Sequence, residues 1–187
     1  MKRHRAIRLI MILTVLFVQI TFLTMIVKEK YETDGFAAIV LILFITLTMF
    51  LGYRYLDLHH EVYAYEKIAV AIWVPIGAVI CHLLNVYGGL GSVLSAGTTG
   101  TLASFLPTIN KQSVYLKNLP AAIYCGAFVG MSSAEITPSV GFVIAAGVLS
   151  GVFFMLSKNL FLGIGGKLGT IAFGGVAIVS LIYWLLK

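Results

Sequence analysis

The chain has 187 residues, 60% of them hydrophobic and 11% charged, with a mean hydropathy of +1.01 and a net charge of +6. A soluble domain carries about 25% charged residues, and a chain this short exposes much of its surface, so the composition excludes an ordinary soluble domain and calls for lipid to cover much of the molecule. The cations gather at the ends of apolar stretches, where lysine and arginine are retained on the cytoplasmic side, so the positive charge points to topology in a bilayer and not to nucleic acid.

Helices crossing a bilayer need about 20 residues, and the chain divides accordingly. A first span is predicted over 6–27, behind the basic tail Lys2-Arg3-His4-Arg5. It is too long for an ordinary signal peptide and lacks the small-residue cleavage pattern, so it is expected to be retained. A mixed-sign loop follows at 28–35, and a second span covers 36–53 up to Arg54. The connector to Lys67 is polar and aromatic, and it holds Asp57, His59, His60 and Glu61. Adjacent residues on a helix point about 100° apart, so this cluster reads as solvated and not as a metal site.

Between Lys67 and Lys111 lie 43 residues without a charged side chain, long enough for two spans. The third span is predicted over 68–87, with Pro75 and Gly77 inside it. The Gly88-Gly89-Leu90-Gly91 break makes the turn, and a fourth span, rich in small and hydroxylated residues, follows over 89–107. A connector at 108–118 carries Lys111 and Lys117. A short fifth span over 119–134 ends at Glu135, and Pro138 marks the next turn. The sixth span covers 139–156, and the seventh covers about 168–186.

With seven spans and a cytoplasmic N-terminus, ten cations fall inside (Lys2, Arg3, Arg5, Arg8, Arg54, Lys67, Lys111, Lys117, Lys158, Lys167) and three outside (Lys28, Lys30, Lys187). If 89–107 re-enters without crossing, the later loops change sides and the count becomes seven against six. The positive-inside rule prefers the first arrangement. The expectation is an all-α, polytopic integral membrane helix bundle of about seven spans, six if 89–107 is re-entrant, forming one membrane domain over 1–187 in a bacterial inner membrane.

Small residues four apart share a helical face and let backbones approach. Gly126 with Gly130, Gly147 with Gly151, and Gly165 with Gly169 have that spacing, and either fold stabilisation or an oligomer interface accounts for it. Cys81 and Cys125 lie in apolar segments without a CxxC pattern, so neither zinc nor a disulfide is indicated. The stretch Gly163 to Thr170 fails the phosphate-loop pattern, because Phe161 stands where its first glycine belongs and Leu168 where its hydroxyl belongs.

Three features could carry a pathway. His82 and Asn85 lie three apart and share a face. Ser95, Thr98, Thr99 and Thr101, with Ser92 and Ser104, make the fourth span hydroxyl-rich. Such hydroxyls either line a polar route or bond their own helix carbonyls. Glu135 is the one acid after Glu66, and an intramembrane acid marks an ion or proton route, whereas one at the interface is a loop acid. No nucleophile–base–acid constellation appears, so neither an enzyme nor a cofactor is expected.

Two functions remain in view. The first is a small homo-oligomeric transporter or channel, built on the glycine- and proline-broken segments 88–107 and 119–138, since transporters use interrupted helices around a midplane site. The second is a non-catalytic sensor or anchor subunit of a multiprotein complex, as in envelope stress or phage defence. It would recruit a cytoplasmic partner through Arg3, Arg5, Arg54, Lys67, Lys111 and Lys117.

Overall fold

The structure, a computed structural model, describes residues 2–32, 36–55, 64–159 and 166–186. The described residues are helical, with no strand among them. They form two compact units: 1–63 with 159–162, and 64–158 with 163–187.

In the first unit, α1 (Lys2–Glu32) and α2 (Phe36–Tyr55) pack against each other. Both extend past the expected spans of 6–27 and 36–53. Thr14, Thr21, Thr24 and Thr46 each donate their hydroxyl to the carbonyl four residues back. That bond lets a threonine stay on an apolar helix without an unmet polar group.

The second unit is built around one rod, made of α3 (Ile68–Ala71), α4 (Trp73–His82) and a π-helical turn (Leu83–Tyr87). Pro75 has no N–H to give to Ala71 O, and the α-helix is interrupted at Ile72. The rod ends at Gly89 and Gly91, whose φ angles of 65° and 78° lie in the left-handed region that glycine adopts freely. Then come α5 (Ser92–Ser104), the short α6 (Leu106–Ile109), α7 (Val114–Gly130), α8 (Val140–Leu156) and α9 (Lys167–Leu185).

Two helices among the described residues, Ile68–Tyr87 and Lys167–Leu185, are long and apolar enough to cross a membrane. The expected seven is therefore not reproduced at that length. The segments that fall short are cut by particular residues. α5 starts only after Gly91 and breaks at Phe105, and α7 and α8 are 17 residues each. α7 also starts five residues before the expected 119. Ser113 caps it, its Oγ accepting from Leu116 N at 3.3 Å, and Pro120 is held inside the helix. Ser139 caps α8 in the same way, accepting from Phe142 N at 3.2 Å.

The passes alternate in direction. Trp73 Nε1 donates to Tyr115 Oη at 2.8 Å, tying the start of α4 to the start of α7. Asn85 Nδ2 donates to Gly130 O and Ser132 O, tying the far end of the rod to the end of α7. α8 returns, so that Glu66 N donates to Met155 O at 3.0 Å. α7 and α8 pack on α4, α9 packs on α8 and α7, and α5 packs on α7. Most of the buried side chains are small or medium, among them Val70, Val74, Ala78, Leu119, Ala122, Val129, Val143, Ala146 and Ile171, with Phe142 and Phe154 as the two large rings in the same cluster.

The outward faces are large and apolar. Ile68, Ile72, Ile76 and Ile80 recur every four residues along the rod and are all exposed, while Val70, Val74 and Ala78 on the opposite face are buried. Exposed Ile144, Val148 and Val152 make a similar stripe on α8.

Candidate functional site

The rod's inner face is a glycine-lined contact. A Cβ at Gly126 would fall on Val74 O, and one at Gly130 on Ala78 O. On α8, a Cβ at Gly147 would sit 2.8 Å from Pro75 Cα, and one at Gly151 would sit 3.1 Å from Ala71 O. Gly151 thus brings α8 to the carbonyl that Pro75 deprives of its helical donor. These four glycines are occupied by contacts inside the chain. Gly169 meets nothing within 4 Å of such a Cβ, and Gly165 lies outside the described residues. Gly77 and Gly175 belong to the same packing, though neither has a glycine four residues away. A Cβ at Gly77 would fall on Ile123 O, and one at Gly175 on Ser150 Oγ.

The hydroxyl-rich α5 presents Ser95, Ala96, Thr99 and Ala103 to the bundle and leaves Thr98 and Thr101 exposed. Ser95 Oγ donates to Gly91 O at 2.7 Å, Thr99 Oγ1 to Ser95 O at 2.8 Å, and Ser104 Oγ to Thr101 O at 2.6 Å. The inward hydroxyls therefore satisfy themselves on their own helix, and Ala96 between them joins Cys81 and Ala127 in a small buried cluster. On the outer side, Gly97, Thr101 and Ser104 with Pro120, Ala121 and Tyr124 line an open groove of about 460 Å³ between α5 and α7.

His82 is 3% exposed, and its Nδ1 has no hydrogen-bond partner. Its ring meets Tyr87 edge-on at 6.5 Å. Asn85, three residues on, donates to Gly130 O, the last carbonyl of α7, which a helix terminus leaves without an internal donor, and to Ser132 O in the turn beyond it. Glu135 is exposed in the turn between α7 and α8. The structure gives it the position of a loop acid, away from a buried half-helix, because α7 ends at Gly130. The seven polar positions singled out in the sequence thus separate into a buried set (His82, Ser95, Thr99), a half-buried tether (Asn85) and an exposed set (Thr98, Thr101, Glu135).

At the opposite end lies an ionic clasp that sequence reasoning missed. Glu66 is buried and accepts from Lys158 Nζ at 3.2 Å and from Lys67 N at 3.1 Å. Lys167 Nζ donates to Ser157 O and to Lys158 O. One carboxylate and two ammonium groups so join the start of the rod, the end of α8 and the start of α9. The available signal was charge alone: Glu66 borders an apolar span and faces a lysine 92 residues away. Tyr115 Oη adds a 3.3 Å bond to Ala69 O at this end.

Of the expected docking residues, Lys67, Lys111 and Lys117 are exposed. Arg3 and Arg5 lie on α1, and Arg54 lies on α2. Asp57, His59, His60 and Glu61 lie outside the described residues. Among the described residues no three His, Cys, Asp or Glu side chains gather as a metal site. The two thiols, Cys81 and Cys125, are fully buried. No family model, curated protein or solved structure matches the chain.

Proposed function

We propose that the chain is an integral membrane protein of seven crossings with its N-terminus inside, acting as a non-catalytic anchor subunit that holds a soluble partner at its cation-rich end. The observation that carries this reading is an inside-out distribution. Large apolar side chains such as the Ile68–Ile80 stripe face outward, while the inward contacts are made by glycine, alanine and valine, with Ser95 and Thr99 bonded to their own helix. Exposed apolar surface on this scale needs a cover. Lipid supplies it, and helices in lipid associate through small residues that allow close packing.

Helix lengths support the count of crossings. Residues 92–109 run as α5, a single break and α6, about 27 Å at 1.5 Å per residue, against a hydrocarbon core of about 30 Å. At 17 residues each, α7 and α8 reach the short end of the spanning range.

The choice of anchor over conduit rests on what the polar groups do. A route for ions needs groups free to replace water around the solute. Ser95, Thr99 and Ser104 spend their donors on their own carbonyls. A second reading, permeation along the α5–α7 groove, draws support from exposed Thr101 at its wall. Proteoliposomes loaded with a potassium- or proton-sensitive dye separate the two. The anchor reading expects the background leak of empty vesicles. A flux above that background that falls on Thr101→Val would overturn it in favour of permeation.

A further inference from the structure

The lysines at the clasp end are not equivalent. Lys158 is engaged by Glu66, and Lys167 by two carbonyl oxygens. Lys111 and Lys117 have no such partner among the described residues, and both are exposed. Lys111 lies in the connector between α5 and α7 and Lys117 in the first turn of α7, and the apolar side chains around them also face outward. Phe105, Ile109 and Val114 are 60%, 74% and 70% exposed. Immediately beside them, Trp73 and Tyr115 join through Nε1 and Oη at 2.8 Å. Paired indole and phenol groups of this kind suit the level where hydrocarbon meets headgroups. Apolar side chains and free ammonium groups on one short segment match an interface whose acyl side is apolar and whose headgroup side is negative.

We propose that the connector around Lys111 and Lys117 is a binding surface for anionic phospholipid headgroups, with Phe105, Ile109 and Val114 set into the acyl boundary and the two ammonium groups on the phosphates. The proposal rests on the membrane reading above and refines it, because it assigns Lys111 and Lys117 to lipid and leaves Lys67 to a soluble partner. The charge balance favours lipid: among the described residues the one carboxylate at this end of the unit, Glu66, is already taken by Lys158.

The test uses the full chain in nanodiscs of equal phosphatidylglycerol and phosphatidylcholine, released for native mass spectrometry. Wild-type protein is expected to retain phosphatidylglycerol in excess. The Lys111→Gln/Lys117→Gln variant is expected to lose about threefold to fivefold of that excess, and Lys111→Arg/Lys117→Arg to keep it. Equal retention of both lipids by wild-type protein, or an unchanged excess in the glutamine variant with an unchanged melting temperature, would overturn the proposal. Its failure is distinguishable from that of the anchor reading. Protein that conducts ions yet retains phosphatidylglycerol through these lysines refutes the anchor and keeps the headgroup site, and silent protein that retains both lipids equally does the reverse.

Discussion

Gly126 shows how much can rest on a missing side chain. Its backbone lies against Val74 and Ala78, so a methyl group there would overlap Val74 O and sit 2.7 Å from Ala78 N. Overpacking of this kind costs about 1–3 kcal/mol. Gly126→Ala should therefore lower the melting temperature in detergent. Gly97→Ala, where nothing lies within 4 Å, should leave it unchanged or raise it through helix propensity. Equal effects of the two substitutions would contradict the packing described. The Glu66–Lys158 pair gives a second test at this scale. Glu66 has a side chain 8% exposed, and Lys158 one 37% exposed. Lys158→Met strands a buried carboxylate, at about 1–3 kcal/mol. Glu66→Gln leaves an ammonium group already able to reach water, so it should cost less, as read by thermal unfolding of the two variants side by side. The spacing of Gly126 and Gly130 was legible in the sequence. Gly77 and Gly175 were not, because each packs against another helix without a glycine partner on its own. The Glu66 pairing was hidden for a similar reason, since 92 residues separate its members.

At the level of elements, caps and breaks decide where each helix begins. Charges and turn residues in the sequence located the starts at Ile68, Val140 and Lys167 to within a residue or so. The start of α7 lies five residues before the expected 119, because Lys117 and Asn118 read as part of a polar connector, whereas Ser113 caps the helix ahead of them and Pro120 is carried within it. Ser139→Ala removes the oxygen that accepts from Phe142 N. It should cost about 1 kcal/mol, with the loss of amide protection in hydrogen exchange concentrated in the first turn of α8. Uniform loss of protection over α8 and α9 would mean that the cap acts on the whole bundle and not on one helix end. The hydroxyls of α5 carry a related lesson. Their presence was plain from the sequence, but their use was not, since the same residues could line a route or bond their own helix. Which of these occurs depends on rotamers that only the packed helix fixes.

For the molecule as a whole, composition pointed to helices, which the structure has, and to a lipid environment, with which two helices long and apolar enough to cross a membrane agree. The lysine end of the second unit is ordered by Glu66, Lys158 and Lys167, and its opposite end by Asn85 on Gly130 O and Ser132 O. The central claim is that this unit is embedded in a bilayer, with 92–109 carrying the chain from one side to the other. The most direct measurement places single cysteines at Leu90 and at Gln112, in a background where buried Cys81 and Cys125 are replaced by alanine, and labels intact cells and inverted vesicles with a membrane-impermeant maleimide. The account predicts that Leu90→Cys reacts only from outside and Gln112→Cys only from inside. Reaction of both positions from the same side would contradict it and make 92–109 a re-entrant segment.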